Sequence, residues 1–157
     1  MNFSVLNARE KAVRLTGTGL KSSDLLGSWH LQTVWSKGKQ KANPFSSWIL
    51  KSLKARLEIE AELGDNNSDL HLSNTVNFGP LELKFQGPGL LTGKRPLLSF
   101  HFDSLTLRMG GIALLKKELP TPSQKRTPFF ALIERNSDGW MAARGRGGGL
   151  ALWKLKD

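Results

Sequence analysis

The chain has 157 residues, among them 5 Trp and 8 Phe but neither Cys nor Tyr, and 23 Lys and Arg against 13 Asp and Glu. One hydrophobic core suffices at this length, and disulfides are excluded. Uncharged runs such as 87–93 and 147–153 are interrupted by Pro or Gly and are too short for a helix that spans a bilayer. The first residues lack the features of a signal or transit peptide, so we expect a cytoplasmic protein.

The formal charge of +10 is distributed unevenly along the chain. Residues 1–60 hold 10 basic and 4 acidic residues, residues 61–120 hold 6 of each, and residues 121–157 hold 7 and 3. The positive excess therefore lies toward the two ends. If the first and last strands are neighbours, as in a closed barrel, the two excesses form one basic surface.

Helical periodicity is confined to the beginning of the chain. Asn7 is a candidate N-cap, and Ala8, Ala12 and Leu15 after it share one helical face. We therefore predict a short amphipathic helix within an N-terminal segment, residues 1–24.

From Gly27 onward, apolar and polar residues alternate with a period near two, which predicts strands. The predicted strands cover 28–35, 55–63, 69–78, 81–86, 97–107, 129–134, 140–144 and 150–155. The Pro-rich residues 119–128 are expected to form a surface loop. About eight strands joined by short turns predict a mainly β chain, folded over residues 25–157 as one antiparallel up-and-down β-barrel.

Candidate residues for catalysis or metal binding are few. The histidines His30, His71 and His101 lie on three different predicted strands, and a metal trio would need aligned registers. Alternating acids at Glu58, Glu60 and Glu62 are typical of the solvated face of a strand. We predict no catalytic residue, no metal site and no cofactor, and we expect a protein that is not an enzyme.

The run RGRGGG at 144–149 has three interpretations. A phosphate-binding loop requires a following helix, and the residues after it have strand character instead. An RGG-type nucleic-acid segment requires a repeated, disordered tract, whereas this is one copy between two apolar strands. A tight or bulged turn at the corner of a barrel is favoured.

A Trp and an Arg are candidates for closing one end of the barrel. Gly27 and Trp29 open the first strand, and Arg144 and Gly145 end a late strand, with Arg146 beyond it. In a closed barrel a guanidinium from Arg144 or Arg146 could stack on the Trp29 ring, which is worth about 0.5 to 2 kcal/mol. An ordinary core Trp beside a surface Arg fits the spacing equally well.

Aromatic residues are spread over most predicted strands, and several are candidates for lining a ligand-binding lumen. A barrel of about eight strands either fills its interior with side chains or holds one small ligand. The lumen candidates are Trp29, Trp35, Phe78, Phe85, Phe100, Phe102, Trp140 and Arg144. Other aromatic residues of this kind are Trp48 and Trp153.

Four motifs resemble the plastid-lipid-associated protein family, also called fibrillins, whose members have a lipocalin-like barrel. They are LLGSW (25–29), NTVNF (74–78), FDSLTL (102–107) with two following glycines, and DGWMAARGRGGGLALWKL (138–155). The absence of a transit peptide and of most of the N-terminal helical region is similar to a compact cyanobacterial type. Residues 32–34 and Arg146 also differ from the family pattern. The resemblance implies binding of isoprenoid or acyl lipids, such as carotenoids, quinones or fatty acids, at lipid bodies or thylakoids.

Three hypotheses on function follow. The first is a monomeric, non-enzymatic barrel that binds a hydrophobic small molecule and associates peripherally with an anionic membrane through its basic residues. The second is a calycin-type chromophore lyase that transfers a bilin, whose propionates an Arg-lined cavity would suit. The third is a nucleic-acid-binding domain, which rests on net charge alone.

Overall fold

The computed structural model describes residues 2–39, 56–62 and 69–156. It contains one α-helix, α1 (Phe3–Thr16), and two short 3-10 turns at Ser22–Leu25 and Gln124–Arg126. The strands are β1 (Gly27–Trp35), β2 (Arg56–Ala61), β3 (Asp69–Phe78), β4 (Leu81–Thr92), β5 (Leu97–Phe100), β6 (Ser104–Met109), β7 (Ile112–Glu118), β8 (Phe129–Arg135), β9 (Trp140–Gly145) and β10 (Leu150–Leu155). Trp48 and both ends of the predicted strand 55–63 lie outside the described residues.

Eight antiparallel strands close into a barrel in the order β1, β2, β3, β4, β5, β8, β9 and β10. Closure is made by β10, which pairs with β1 from Trp29 opposite Leu155 to Trp35 opposite Leu150. The prediction of a mainly β chain with an up-and-down barrel and an N-terminal helix is confirmed. The expected adjacency of the first and last strands is confirmed as well.

The hairpin of β6 and β7 extends the barrel wall beyond its rim. β4 is long enough to have two partners, because its first half pairs with β6 and its second half with β5. The sequence predicted one strand over 97–107, but the chain leaves the barrel after Phe100 and re-forms a strand at Ser104. Gly87 permits this crossing, since a Cβ there would lie 2.0 Å from the carbonyl oxygen of His101.

Side chains of the barrel strands alternate between an interior and an outer cluster. The interior cluster includes Leu25, Trp29, Leu57, Ile59, Leu70, Leu72, Leu98, Phe100, Leu132, Met141, Ala143 and Trp153. The outer cluster lies on β1, β8, β9 and β10 and includes Leu6, Trp35, Ile133, Ala142, Leu150 and Leu152. Because Leu6 belongs to α1, the helix packs on the outer face of the barrel.

The helix begins earlier than the sequence predicted. Its N-cap is Asn2, whose side-chain oxygen accepts a hydrogen bond of 3.1 Å from the backbone N–H of Val5. Asn7, the predicted cap, lies within the helix instead. The apolar spacing of Ala8 and Ala12 indicated a helix. Phe3 and Leu6, which make the main contacts of α1 with the barrel, come before those two residues in the chain.

A β-bulge decides which face of β1 each aromatic side chain occupies. Trp29 and Trp35 are six residues apart, an even spacing that would place both on one face of a regular strand. The register with β10 shifts between Leu31 and Thr33, so the residues after the bulge change face. Trp29 is therefore inside the barrel and Trp35 outside it.

The two ends of the barrel differ. The lower end, as we define it, carries the start of β1 and the β8–β9 turn, and the 3-10 turn at Ser22–Leu25 contributes Leu25 to the core there. The upper end carries the β3–β4 and β9–β10 turns, the β7–β8 loop and the tip of the β6–β7 hairpin.

Candidate functional site

The lower end is closed by Trp29 together with Arg135. Trp29 is fully buried, and its ring N–H donates a hydrogen bond of 2.7 Å to the carbonyl of Leu25. The Arg135 guanidinium lies 5.9 Å from the ring centre, and its Nε donates to the carbonyl of Asp24. A Trp and an Arg do close one end, but the prediction that Arg144 or Arg146 supplies the guanidinium is wrong.

Arg144 and Gly145 lie at the opposite end from Gly27 and Trp29, because β9 runs from the lower to the upper end. Arg144 is paired with Leu150, and both side chains point outward, away from the interior cluster. Its prediction as a lumen residue is therefore wrong. The neighbouring Met141 and Ala143 occupy the interior positions of β9 instead.

Arg144 binds a buried carboxylate on the helix. Its Nε lies 2.9 and 2.8 Å from the two oxygens of Glu10, and its Nη2 lies 2.5 Å from Oε2. Arg95 and Arg14 also donate to Glu10, at 2.9 and 3.2 Å. Only 1% of Glu10 is exposed. This cluster fixes α1 to the outer face of the barrel.

The charge state of Glu10 follows from these contacts. Burial of the carboxyl raises its pKa, but hydrogen bonds from Arg144 and Arg14, with the field of both guanidinium groups, outweigh burial and hold the pKa below its ordinary value. Glu10 is therefore ionised at neutral pH, as the ion pairs require.

Five aromatic rings form a chain of contacts from the interior to the upper end. Trp153 meets Phe130 at a centroid distance of 5.2 Å, and Phe130 meets Phe100 at 5.0 Å. Phe100 meets Phe102 at 5.6 Å, and Phe102 meets Phe85 at 5.7 Å. Trp153 and Phe100 are buried, whereas the other three are partly exposed. The chain thus joins the filled interior to solvent.

The remaining lumen candidates lie elsewhere. Trp35 and Trp140 were predicted inside, but both belong to the outer cluster beside α1. Trp140 packs against Lys154, whose ammonium lies 4.9 Å from the ring centre. Phe78 is 51% exposed at the end of β3, so it is not inside the barrel either. Of the predicted lumen residues, the structure brings only Phe85, Phe100 and Phe102 into contact with one another. Trp29 is also inside the barrel, but at its lower end.

The upper halves of β3 and β4, with β6 and β7, carry an apolar face that continues from this aromatic chain. Cross-strand register places Phe78, Leu81, Met109 and Ile112 in one row and Val76, Leu83, Leu107 and Leu115 in the next. Phe85 and Leu105 follow in the third row, between the polar Asn74 of β3 and Lys117 of β7. We call the ten apolar residues of these three rows the apolar face. Phe85 connects it to Phe102 and so to the interior.

The opposite side of the same sheet is polar. Glu82 pairs with Arg108, with 3.6 Å between their charged atoms, and Lys84 lies between Thr75 and Thr106. This projecting sheet, formed by the upper halves of β3 and β4 with β6 and β7, is therefore amphipathic. Its lumen-side surface is apolar except for Asn74 and Lys117.

Sequence reasoning missed β7 and therefore half of this sheet. The available signal was Gly110-Gly111 between two apolar runs, which is typical of a two-residue hairpin turn. Both glycines have positive φ, 55° and 85°, as such a turn requires. The pattern of β7 is not alternating, because a bulge opposite Leu107 and Arg108 shifts its register.

Five exposed cations form a second surface at the upper end, which we call the cationic rim. Its members are Lys37, Lys39, Lys125, Arg126 and Arg146. Lys37 packs on Gly148, and Arg146 donates a hydrogen bond of 2.8 Å to the carbonyl of Thr127, so the three segments touch. Residues 36–39, 119–128 and 145–149 contain no acidic residue. Residues 145–149 form a turn between β9 and β10, which confirms the turn interpretation of RGRGGG.

Two grooves lie on the described surface. One of about 290 Å³ runs between α1 and β8 and is lined by Arg9, Ala12, Val13, Leu20 and Ile133, among others. The other, of about 360 Å³, is lined by residues of β4 and β5, including Leu90 and Phe100, and by His101 and Thr127. The second groove reaches Phe100, but Leu90 and Ser99 pair across β4 and β5 and point away from the interior residues Leu98 and Phe100, so the groove opens on the outer face of the barrel.

The three histidines are not brought together. Within the described residues, no group of three or more His, Asp and Glu side chains could hold a metal ion. His30 lies on β1 opposite Arg56 and Lys154. Burial, with the positive charges of Lys156 and Arg56, lowers the pKa of His30. Across the part of the chain described, no helix has the length and apolar character needed to cross a membrane.

Comparison of the chain with protein-family models, with curated proteins and with solved structures finds no match.

Proposed function

We propose that this chain binds a hydrophobic small molecule at the upper end of its barrel, without chemical conversion, and associates peripherally with an anionic membrane. One observation carries the proposal. The apolar face of β3, β4, β6 and β7 meets the chain of aromatic rings through the contact between Phe85 and Phe102. An apolar surface that runs from solvent to the interior suits a ligand that must leave water.

The ligand would lie on the upper rings rather than deep in the barrel. The lower half is filled by large buried side chains, among them Trp29, Leu72 and Met141. Phe85 and Phe102 are partly exposed and so leave apolar surface in contact with water. Removing apolar surface from water there gains about 25 cal/mol per Å². A long, flexible chain is favoured, because the apolar face is extended rather than enclosed.

Charge supports the second half of the proposal. The cationic rim combines Lys37 and Lys39, from residues 1–60, with Lys125, Arg126 and Arg146, from residues 121–157. Each Lys or Arg near an anionic lipid surface contributes about 1 kcal/mol, and the attraction weakens within a Debye length. Five such cations, with no acid in their segments, are enough for reversible binding.

The class of ligand is suggested by the resemblance to plastid-lipid-associated proteins. On that basis the ligand is an isoprenoid, quinone, carotenoid or acyl lipid, and the membrane is that of thylakoids or lipid bodies. Two of the four motifs contribute to the apolar face directly. NTVNF supplies Val76 and Phe78, and FDSLTL supplies Leu105 and Leu107. Its Phe102 and Leu105 lie at the transition from barrel to projecting sheet.

The ligand half is tested by organic extraction of the protein purified from its own host, followed by mass spectrometry. We expect a stoichiometric apolar compound, released only on denaturation. An extract that contains no such compound, combined with no binding of quinones, carotenoids or fatty acids added in solution, would refute ligand binding.

The membrane half is tested by sedimentation with vesicles that contain phosphatidylglycerol, and with neutral phosphatidylcholine vesicles as the control. Binding should require the anionic lipid and should weaken strongly by about 0.5 M salt, where the Debye length is a few Å. Reversal of Lys125, Arg126 and Arg146 to Glu should abolish it. Retention of RNA at physiological salt with no vesicle binding would favour the nucleic-acid hypothesis instead.

A further inference from the structure

The end of the projecting sheet carries a row of apolar side chains, of which three are exposed and one, Leu81, is half-buried. Phe78, Leu81, Met109 and Ile112 are neighbours across β3, β4, β6 and β7. Phe78 is 51%, Met109 45% and Ile112 70% exposed. We call these four residues the tip row. Large side chains exposed side by side mark an interaction surface more often than a solvated one.

A backbone hydrogen bond links the two turns next to the tip row. The β3–β4 turn at Gly79-Pro80 and the β6–β7 turn at Gly110-Gly111 lie side by side, and the N–H of Gly110 donates a hydrogen bond of 3.1 Å to the carbonyl of Pro80. This bond gives a partner to one N–H and one carbonyl group of the turns. The tip row therefore lies beside two turns that are linked through their backbones.

Basic residues stand behind and beside the tip row. Lys116 and Lys117 follow on β7, and residues 109–115 before them contain no charge. The cationic rim lies at the same end of the barrel. Apolar side chains at the extremity, with cations set back from it, match the order of hydrocarbon and head groups at a lipid surface.

We propose that the tip row enters the interfacial layer of an anionic bilayer, while Lys116, Lys117 and the cationic rim contact the lipid head groups. This inference rests on the proposed function, because it names the element that makes the membrane contact. It also gives the ligand a route, since the apolar face connects the tip row to Phe85 and the aromatic chain.

The depth of insertion is limited by the backbone. In the described part of the chain β7 pairs with β6 alone, so its other edge presents unpaired N–H and C=O groups. Unpaired backbone groups are costly in hydrocarbon, and an open sheet edge does not cross a bilayer. The tip row therefore reaches only the head-group and upper acyl region, about 5 to 10 Å deep.

The chain contains no Cys, so a single introduced thiol can carry an environment-sensitive fluorophore. We would label Ile112→Cys at the tip row and, as the control, Ser137→Cys in the exposed β8–β9 turn at the lower end. With phosphatidylglycerol vesicles, emission from position 112 should shift to the blue and be quenched by lipids that carry a quencher on the upper acyl chain. Position 137 should not respond.

A variant with Phe78→Ser, Met109→Ser and Ile112→Ser should bind the same vesicles at least about tenfold more weakly, because the transferred apolar surface is lost. Leu15→Ser is the matched control, since Leu15 is 89% exposed on α1, away from this surface. It should leave vesicle binding unchanged. Circular dichroism verifies that both proteins are folded.

The outcomes separate the two proposals. If the unlabelled protein does not bind anionic vesicles, the proposed membrane association fails. If it binds and the label at position 112 stays in water, only the insertion fails. A blue shift that grows with protein concentration and needs no lipid would assign the tip row to contact between two copies of the chain, which overturns the insertion as well.

Discussion

Arg135 and Trp29 form the contact that closes the lower end of the barrel. The guanidinium lies 5.9 Å from the ring centre, while its Nε donates 3.1 Å to the carbonyl of Asp24 and its Nη1 donates 2.9 Å to that of Asn136. One side chain on β8 thus joins the first strand of the barrel to the turn that precedes it.

We predict that Arg135→Met lowers the free energy of unfolding by about 2 kcal/mol, because the stacking and two charge-assisted hydrogen bonds are lost together. Urea titration followed by Trp fluorescence measures the change. Arg126→Met is the control, since Arg126 is exposed in the β7–β8 loop, and its effect should stay within about 0.5 kcal/mol. Equal effects of the two changes would contradict the role assigned to Arg135.

The Glu10 cluster predicts a dependence of stability on pH. The folded chain holds the pKa of Glu10 below its ordinary value of 4.5, so the unfolded chain binds more protons in acid. This contribution is fully present above pH 4.5 and is lost as the pH falls through the lower, folded value. Glu10→Gln should therefore make the free energy of unfolding fall less steeply below pH 4.5, and should lower it at pH 7 by about 2 kcal/mol.

Chemical denaturation between about pH 3 and pH 7 measures both effects, because this range includes the ordinary pKa of a carboxyl group. Glu118→Gln provides the control, because Glu118 is exposed at the end of β7. Protonation of His30, which also favours the unfolded chain below pH 6.5, is common to all three proteins and cancels in the comparison. A steeper fall for Glu10→Gln than for the native chain would overturn the assignment.

Gly87 should tolerate no side chain. A Cβ there would lie 2.0 Å from the carbonyl oxygen of His101, which is backbone and cannot move without breaking the crossing between β5 and β6. We predict that Gly87→Ala destabilises the protein by at least about 3 kcal/mol. Gly147→Ala should be nearly neutral, because no atom lies within 4 Å of the position that a Cβ would take there. Thermal unfolding of the two variants provides the test.

Ligand binding should depend on Phe102 far more than on Trp140. Phe102 contacts both Phe85 and Phe100, whereas Trp140 lies on the outer face beside α1. With a fluorescent polyene fatty acid as the probe, Phe102→Ala should bind about tenfold more weakly and Trp140→Ala should bind like the native chain. Equal losses in both variants, with both folded by near-ultraviolet circular dichroism, would place the ligand elsewhere.

Much of the fold could be predicted from local sequence signals. Alternation of apolar and polar residues marked most barrel strands, and the Gly-rich run at 144–149 marked the β9–β10 turn. The adjacency of β1 and β10 followed from barrel closure alone. These features depend on residues close together in the chain, or on topology that admits few alternatives.

The candidate site depended on features that the sequence does not display. A bulge in β1 reversed the face of Trp35, and another in β8, between Leu132 and Glu134, accompanies the position of Arg135 over Trp29. A bulge needs one additional residue and no special side chain, so periodicity cannot locate it. The apolar face was missed for a related reason, because the bulge in the β6–β7 register interrupts the alternation that identifies a strand.

Closure of the barrel by β1 and β10 has a consequence for biosynthesis. The two strands pair residues more than 110 positions apart, so β1 has no partner on that side until β10 has left the ribosome. Long-range strand pairing of this kind is slow. Until it is complete, the side chain of Trp29 and the unpaired edge of β1 are exposed and can associate with other chains. Nascent chains stalled before Leu150 should therefore attract chaperones, whereas chains released after Leu155 should not.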